Sequence, residues 1–435
     1  MMKVLIFGVV LLAAANPCSS YAQNINQIIN TDAVEKIERA LSADDMQGRK
    51  PGTPGGEKAA TFIAGEFKRA GLKSLYGDSS YLQRFSMLNA KPAGVKIVWG
   101  DGSLDADKVI AFSGRPEIDL TEKSGYAIKK LKSYAELRGF IDSISLITKN
   151  TLILVDSSLA GIFPRIRRFG SLRFKNGNNH SSVLVLAQQL PEKFTIHIKQ
   201  TITEPVLTNV VGIIPGTVKK NEYVIFSGHY DHLGIADKPE NGDSIYNGAN
   251  DDAAGVTGVI MLARYFKAFH NNERTLVFVA FTAEEVGCYG SQYFSNQFAS
   301  PNDVTAMLNI EMIGTESKWG KNTAYITGYD KTDMGKILEK NLAGSDFNFY
   351  ADPYPDQQLF YRSDNATLAR LGVPAHTIST SKMDHEPNYH KVSDELNTLD
   401  VANMSEIIKA IAISATSIVQ GIDKPSRVNA GALHK

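Results

Sequence analysis

Between Phe226 and Gly234 the chain reads FSGHYDHLG, which places His229, Asp231 and His232 within four positions. Imidazoles beside a carboxylate can hold a divalent cation or move a proton. His229 and Asp231 directly follow the apolar run YVIF. Alternate residues of an extended chain point the same way, so the carboxylate can hydrogen-bond the imidazole and fix its tautomer for metal binding. Alone, the pattern is weak, because an ordinary polar strand end reads the same way.

Four later stretches add carboxylates and imidazoles. NGANDDAAG (247–255) is a Gly-bounded acidic loop opening onto a long apolar helix. Asp251 or Asp252 can cap that helix, which leaves the other acid over. In FVAFTAEEVG, Glu284 and Glu285 end an otherwise apolar strand. Neighbouring acids repel, so a metal accounts for one and a general base for the other. Glu311 interrupts the hydrophobic run AMLNIEMIG, where an unpaired carboxylate is costly. MDHEPNYHKVSDEL (383–396) presents His385 and His390 in a polar loop before the last helix. Five candidate ligands result: His229, Asp251, Glu285, Glu311 and His390. Two histidines and three carboxylates suit a pair of zinc ions about 3.5–4 Å apart, bridged by one carboxylate.

These residues need a scaffold that gathers strand ends. From residue 205 onward, apolar strand runs (EYVIFSG, TLVFVAFTA, AMLNIEMIG) alternate with helical runs such as AGVTGVIMLARYFKAF. The expected fold is therefore α/β: a mixed sheet with helices on both faces, its functional residues beyond the carboxyl ends of the strands. Residues 89–203 read as a β-rich insertion, with VKIVW, TLILVD, SVLVLA and FTIHIK as strands and one helix around YAELRGFIDSI. DAVEKIERAL and EKAATFIAGEFKRAGL, separated by the Gly/Pro loop MQGRKPGTPGGEK, are amphipathic helices. The expected division is a signal segment at 1–22, an N-terminal part of the main domain at 23–88, the insertion at 89–203, the main domain at 204–421 and a tail at 422–435.

Composition excludes several classes. Lys+Arg and Asp+Glu both number 46, which gives no electrostatic case for nucleic acid or an anionic membrane as the main partner. Hydrophobic residues reach 43%, enough for a packed core. Lys3, the apolar run Val4–Ala15 and the small residues ending Ser20-Tyr21-Ala22 form a secretory signal cleaved after Ala22. Its apolar run is too short to span a bilayer, and Pro17 before Cys18 fits a lipidation site poorly. A periplasmic or extracellular protein with the single remaining cysteine, Cys288, is expected.

With these motifs in place, the sequence resembles peptidase family M28, the co-catalytic di-zinc aminopeptidases and their relatives with a zinc exopeptidase (phosphorylase/hydrolase-like) fold. The resemblance rests on SGHYDHLG, NGANDDAAG, FTAEEVG, LNIEMIG, RSDN…LGVPA and NYHKVSDE, together with the opening segment DMQGRKPGTPGGEKAATFIAGEFKRAGL. The insertion falls where many members carry a protease-associated domain. The resemblance implies peptide substrates and two zinc ions, with cobalt or manganese as the substitutes. It implies His229 and Glu311 on one ion, Glu285 and His390 on the other, and Asp251 bridging. Glu284 then acts as general base, Asp231 orients His229, and Tyr389 steadies the oxyanion. Asp252 keeps the helix-start role, while His232 and His385 are second-layer or surface residues. Glu311 departs from the pattern, since most members place Asp there, and this puts metal affinity and substrate preference in question. The alternatives are a carboxypeptidase or dipeptidase with Arg362 and Lys391 as carboxylate binders, a single-zinc glutaminyl cyclase, and a non-catalytic binding protein. The oligomeric state, monomer or homodimer, is open.

Overall fold

The structure is a computed structural model that describes residues 25–433 except 76, 78, 143, 145, 146, 170, 171, 176–179 and 241. The expected signal segment at 1–22, with Cys18, lies outside the described residues. No helix among the described residues is long and apolar enough to cross a membrane.

Two amphipathic helices open the chain. In α1 (Thr31–Leu41) the Asn30 side chain caps the Ala33 N–H at 3.0 Å and Val34, Ile37 and Leu41 are buried. In α2 (Pro54–Arg69) Thr53 caps and Pro54 supplies a preset first turn. The strands that follow are β1 (Leu82–Trp99), β2 (Val109–Phe112), β3 (Glu117–Thr121), β4 (Ala127–Leu131), β5 (Thr151–Val155), β6 (Ser182–Leu186) and β7 (Phe194–Thr203). Then come β8 (Val206–Ile214), β9 (Lys219–His229), helix α3 (Ala254–Phe269), β10 (Arg274–Phe281), helix α4 (Tyr289–Gln297) and β11 (Val304–Ile310). β12 (Thr323–Ile326), β13 (Asn348–Ala351), β14 (Ala375–Ser379) and helix α5 (Val401–Ser414) complete the main elements.

One mixed sheet runs in the order β13–β12–β14–β11–β9–β10–β8–β1–β7–β3. Its central strands are parallel, β10 to β9, β9 to β11 and β11 to β14, so their carboxyl ends share one edge. β10 is buried along its whole length, as its unbroken apolar run requires of a strand covered on both faces. α1, α2, α3 and α5 pack on one face in a continuous core that includes Ile37, Phe67, Val259, Phe266 and Ile407. Phe294 of α4, Leu368 and Ala369 cover the other face, joined there by Val428 and Leu433. Residues 422–433, expected to be a tail, thus contribute to that core.

The expected boundary at 88/89 falls inside a single strand. β1 pairs with β8 over Leu82–Ser86 and with β7 over Asn89–Trp99, carrying the sheet without a break into the β-rich region. The register slips where Pro92, which has no N–H to give the ladder, lies opposite Gln200. A four-stranded sheet, β2–β6–β5–β4, packs on β7 and β3 through Leu152, Val183, Ile118 and Ile196.

Candidate metal centre

The parallel strands deliver the expected residues to one edge. β9 ends at His229, β10 is followed by Glu284 and Glu285, and β11 is followed by Glu311. The acidic loop 247–252 folds across this edge. Asp252 fastens it: one carboxylate oxygen accepts the His229 N–H at 3.1 Å, and the other accepts the N–H groups of Gly255 (2.9 Å) and Met312 (3.0 Å). Asp252 therefore caps the helix and ties three loops, which leaves Asp251 free to face the centre. The close approach needs glycine, since a Cβ on Gly255 would lie 2.1 Å from the Ile310 carbonyl oxygen.

Asp251 is the meeting point. Its Oδ1 lies 3.3 Å from His229 Nε2 and its Oδ2 3.3 Å from His390 Nε2. His390 Nε2 is also 3.1 Å from Glu285 Oε2, while Glu285 Oε1 faces His232 Nδ1 at 2.6 Å. Glu284 Oε2 stands 4.0 Å from His229 Nε2. The candidate ligands His229, Asp251, Glu285 and His390 are thus brought together. Glu311 lines the same cavity, and its buried Oε2 has no hydrogen-bond partner. Nε2 of His229 and Nε2 of His232 are likewise buried without one. Buried polar atoms are normally satisfied. A divalent cation among them would take up such lone pairs, and nitrogen with carboxylate oxygen is a donor set that zinc accepts. His232, Asp251 and Glu285 each offer an atom within 4.8 Å of the others, near enough to share an ion.

The electrostatics agree with that fit. Burial, together with Glu311, Glu285 and Asp364, lifts the Glu284 carboxyl well above the usual range, against the pull of His229. Burial and the neighbouring acids also raise Glu311. Burial opposes charge on His229 and His390, yet Glu284 and Asp251 outweigh it at His229, and Asp251 and Glu285 lift His390 to about 10. A crowd of buried carboxylates, balanced at its centre chiefly by imidazoles, is the field a bound dication would neutralise.

Several side chains sit otherwise than expected. Asp231 is fully buried, but its carboxylate is 3.8 Å from His229 Nδ1, which faces the Asp231 carbonyl oxygen at 3.1 Å. The carboxylate instead accepts the N–H groups of Glu284 (3.1 Å) and Glu285 (3.3 Å). His232 is 1% exposed and engages Glu285, so it is not the surface residue that was one of its two expected places. His385 is exposed. Tyr389 stacks on His390 with ring centroids 3.9 Å apart and lines the cavity beside Glu284. Cys288 is half-buried and its thiol donates to Glu284 Oε1 at 3.6 Å. Arg362 is an exposed cation lining the cavity, and Lys391 is exposed with its ammonium on the Pro387 carbonyl.

Three contributors carried no role in the sequence reading. Asp394 accepts the N–H groups of Asn250 (2.9 Å) and Asp251 (3.0 Å) and so clamps the acidic loop. Burial lifts the Asp364 carboxyl to about 7, with Asp231 and Glu311 adding to the rise and His229 opposing it. Arg49 is wholly buried behind the acidic loop. Asp394 and Asp364 stand in the segments NYHKVSDE and RSDN and Arg49 in the opening segment DMQGRKPG, all part of the resemblance, which was the available signal; within its segment Arg49 sits in a Gly/Pro loop that reads as a turn.

The profile of peptidase family M28 matches residues 209–415, which hold all five candidate ligands. Over that segment, just under half of its length, the chain is similar to peptidase family M28. The chain is similar to curated relatives over limited stretches. A probable zinc metalloprotease of Pyrenophora teres f. teres is 35% identical over 109 residues, 25% of this chain and 23% of the relative. A leucine aminopeptidase 1 of Paracoccidioides brasiliensis (strain Pb03) is 25% identical over 215 residues, 46% of this chain and 53% of the relative. The chain thus spans from about a quarter to about half of these relatives' length. In fold it is similar to an aminopeptidase from Aneurinibacillus sp. strain AM-1, at a TM-score of 0.56 and 18% identity over 91% of this chain and 95% of that one.

Proposed function

We propose that this protein is a zinc-dependent aminopeptidase that hydrolyses the N-terminal bond of peptides. The observation carrying the reading is the convergence of His229, Asp251, Glu285 and His390 on one point, with Glu284 and the unpartnered Glu311 carboxylate beside the cavity that opens there. In this reading His229, Glu311 and Asp251 would hold one ion, and Glu285, His390 and Asp251 would hold a second. Bound zinc supplies Lewis-acid polarisation of the scissile carbonyl and makes water acidic enough to react at neutral pH.

The chain's own residues do the rest. Glu284 takes the proton of the attacking water and returns it to the leaving amine. Asp231 holds the backbone of Glu284 and Glu285, and His232 holds Glu285 Oε1, so neither glutamate has to be ordered during turnover. The Tyr389 hydroxyl donates to the developing oxyanion. Met312, Tyr325, Leu359 and Met383 give the cavity an apolar wall that fits the first side chain of the substrate.

Export to the periplasm or the exterior belongs to the same proposal and rests on the pattern of residues 1–22. Arg362 in the cavity lining favours one second reading, a carboxypeptidase or dipeptidase that binds a terminal carboxylate. Peptides with free and with acetylated N-termini separate the two: cleavage confined to free N-termini supports the aminopeptidase, and trimming of acetylated peptides from the C-terminus overturns it.

A further inference from the structure

We propose that Arg49, which lies outside the M28 match, is the residue that positions two of the ligand-bearing loops, those of His229 and Asp251, and so sets the affinity of the centre. This inference rests on the metal reading above.

Arg49 is fully buried and spends its guanidinium on backbone carbonyls. Nε donates to Tyr230 at 2.6 Å, Nη1 to Leu41 at 2.8 Å and to Asn247, and Nη2 to Gly248 at 2.8 Å. Tyr230 lies between His229 and Asp231; Asn247 and Gly248 lead directly into Asp251. One planar, five-donor group therefore spans the two loops whose side chains meet at the centre, and anchors both to the end of α1. Lysine, with a single ammonium, cannot reproduce that fork.

The chain pays in backbone strain for this placement. Gln47, Gly48 and Arg49 all have positive φ (52°, 61° and 48°), a run of left-handed conformations of the kind that persists where surrounding structure demands it. Gly48 cannot be replaced cheaply, since a Cβ there would lie 2.4 Å from the Gly234 carbonyl oxygen and 2.6 Å from that of Tyr246. Burying a cation is also costly unless it is compensated. The carboxyl groups of Glu38, Asp394, Asp231 and Asp251 face it, and the last three hold or form the ligand-bearing loops. A purely structural arginine has no need to stand behind the ligands. Arg274 shows the contrast: it too is buried, on Glu222 and the carbonyls of Ile418 and Asp423, but at the opposite end of β10.

The test compares the full-length wild type with Arg49→Lys, Arg49→Gln and, as a control, Arg274→Met. Zinc affinity is read by competition with a chromophoric chelator, coordination by the visible absorption of the Co2+ form, and stability by melting of the metal-free protein. The expected result is a zinc affinity at least tenfold weaker in both Arg49 variants, with altered Co2+ bands, on the scale of lost supporting contacts around metal ligands. Arg274→Met is expected to lower the melting temperature while leaving zinc affinity and the Co2+ spectrum at wild-type values. Wild-type affinity and spectrum in either folded Arg49 variant overturn the inference, as does an equal loss of affinity in Arg274→Met. A wild type that takes up no zinc instead removes the metal reading itself, and this inference with it.

Discussion

The carboxylate of Asp231 accepts the backbone N–H of Glu284 at 3.1 Å, joining the end of β9 to the first glutamate beyond β10. The contact makes Asp231 a support for the glutamate pair more than for His229. Asp231→Asn puts an NH2 where one of two N–H groups needs an acceptor, so Glu284 or Glu285 loses its anchor. A fall of roughly 10–100-fold in kcat/KM is expected. Steady-state kinetics together with zinc content check it; unchanged kinetics would remove Asp231 from the account.

Glu284→Gln keeps the shape of the side chain and abolishes its basicity. Turnover should fall by roughly 10²–10⁴-fold with zinc still bound, the range that positioned acid–base groups contribute. Metal analysis beside a peptide assay gives both readings at once, and near-native turnover would show that another group moves the proton.

Stripping the metal should destabilise the fold. Asp251, Glu284, Glu285 and Glu311 stand in one another's field, with burial already opposing their charge. An ion that binds only the folded state and is present at 1,000 times its Kd adds about 4 kcal/mol. Dialysis against a chelator should therefore lower the melting temperature, and returned zinc should restore it. A melt indifferent to chelation would contradict a bound metal.

Glu38 yields a pH prediction away from the ligands. Burial, opposed by the Thr257 hydroxyl and Arg49, raises its carboxyl from 4.5 to about 8. The folded state therefore keeps a proton that the unfolded state releases. That contribution is fully present below pH about 4.5 and is lost as pH rises to about 8, at up to ~1.4 kcal/mol per pH unit. Glu38→Gln retains an acceptor for Thr257 and should flatten the decline between pH 5 and 8. Parallel denaturant titrations of the two proteins across that range decide it; identical slopes would refute the assignment.

Much of the centre was legible because carboxylates break apolar strands only for cause. Glu311 after LNI and the Glu284–Glu285 pair after FVAFTA stand out against runs that must be buried, and the parallel sheet then gathers their ends. What stayed hidden depends on contacts between distant parts of the chain. Arg49 meets Tyr230 and Gly248 across 181 and 199 residues, and QGRKPG, although part of the opening segment of the resemblance, gives its arginine no role beyond a turn. His232 looked incidental because its partner, Glu285, stands 53 residues on. The continuity of the sheet across residues 88 and 89 was hidden for a related reason. β1 is long enough to pair with β8 at one end and β7 at the other, and alternation alone does not reveal where a strand changes partners.

The most direct test of the account is mass spectrometry of a short peptide pool, half with free and half with acetylated N-termini, incubated with the purified protein with and without a chelator. The account predicts stepwise loss of residues from free N-termini alone, stopped by the chelator. Trimming of acetylated peptides, cleavage that persists in chelator, or no cleavage at all would contradict it.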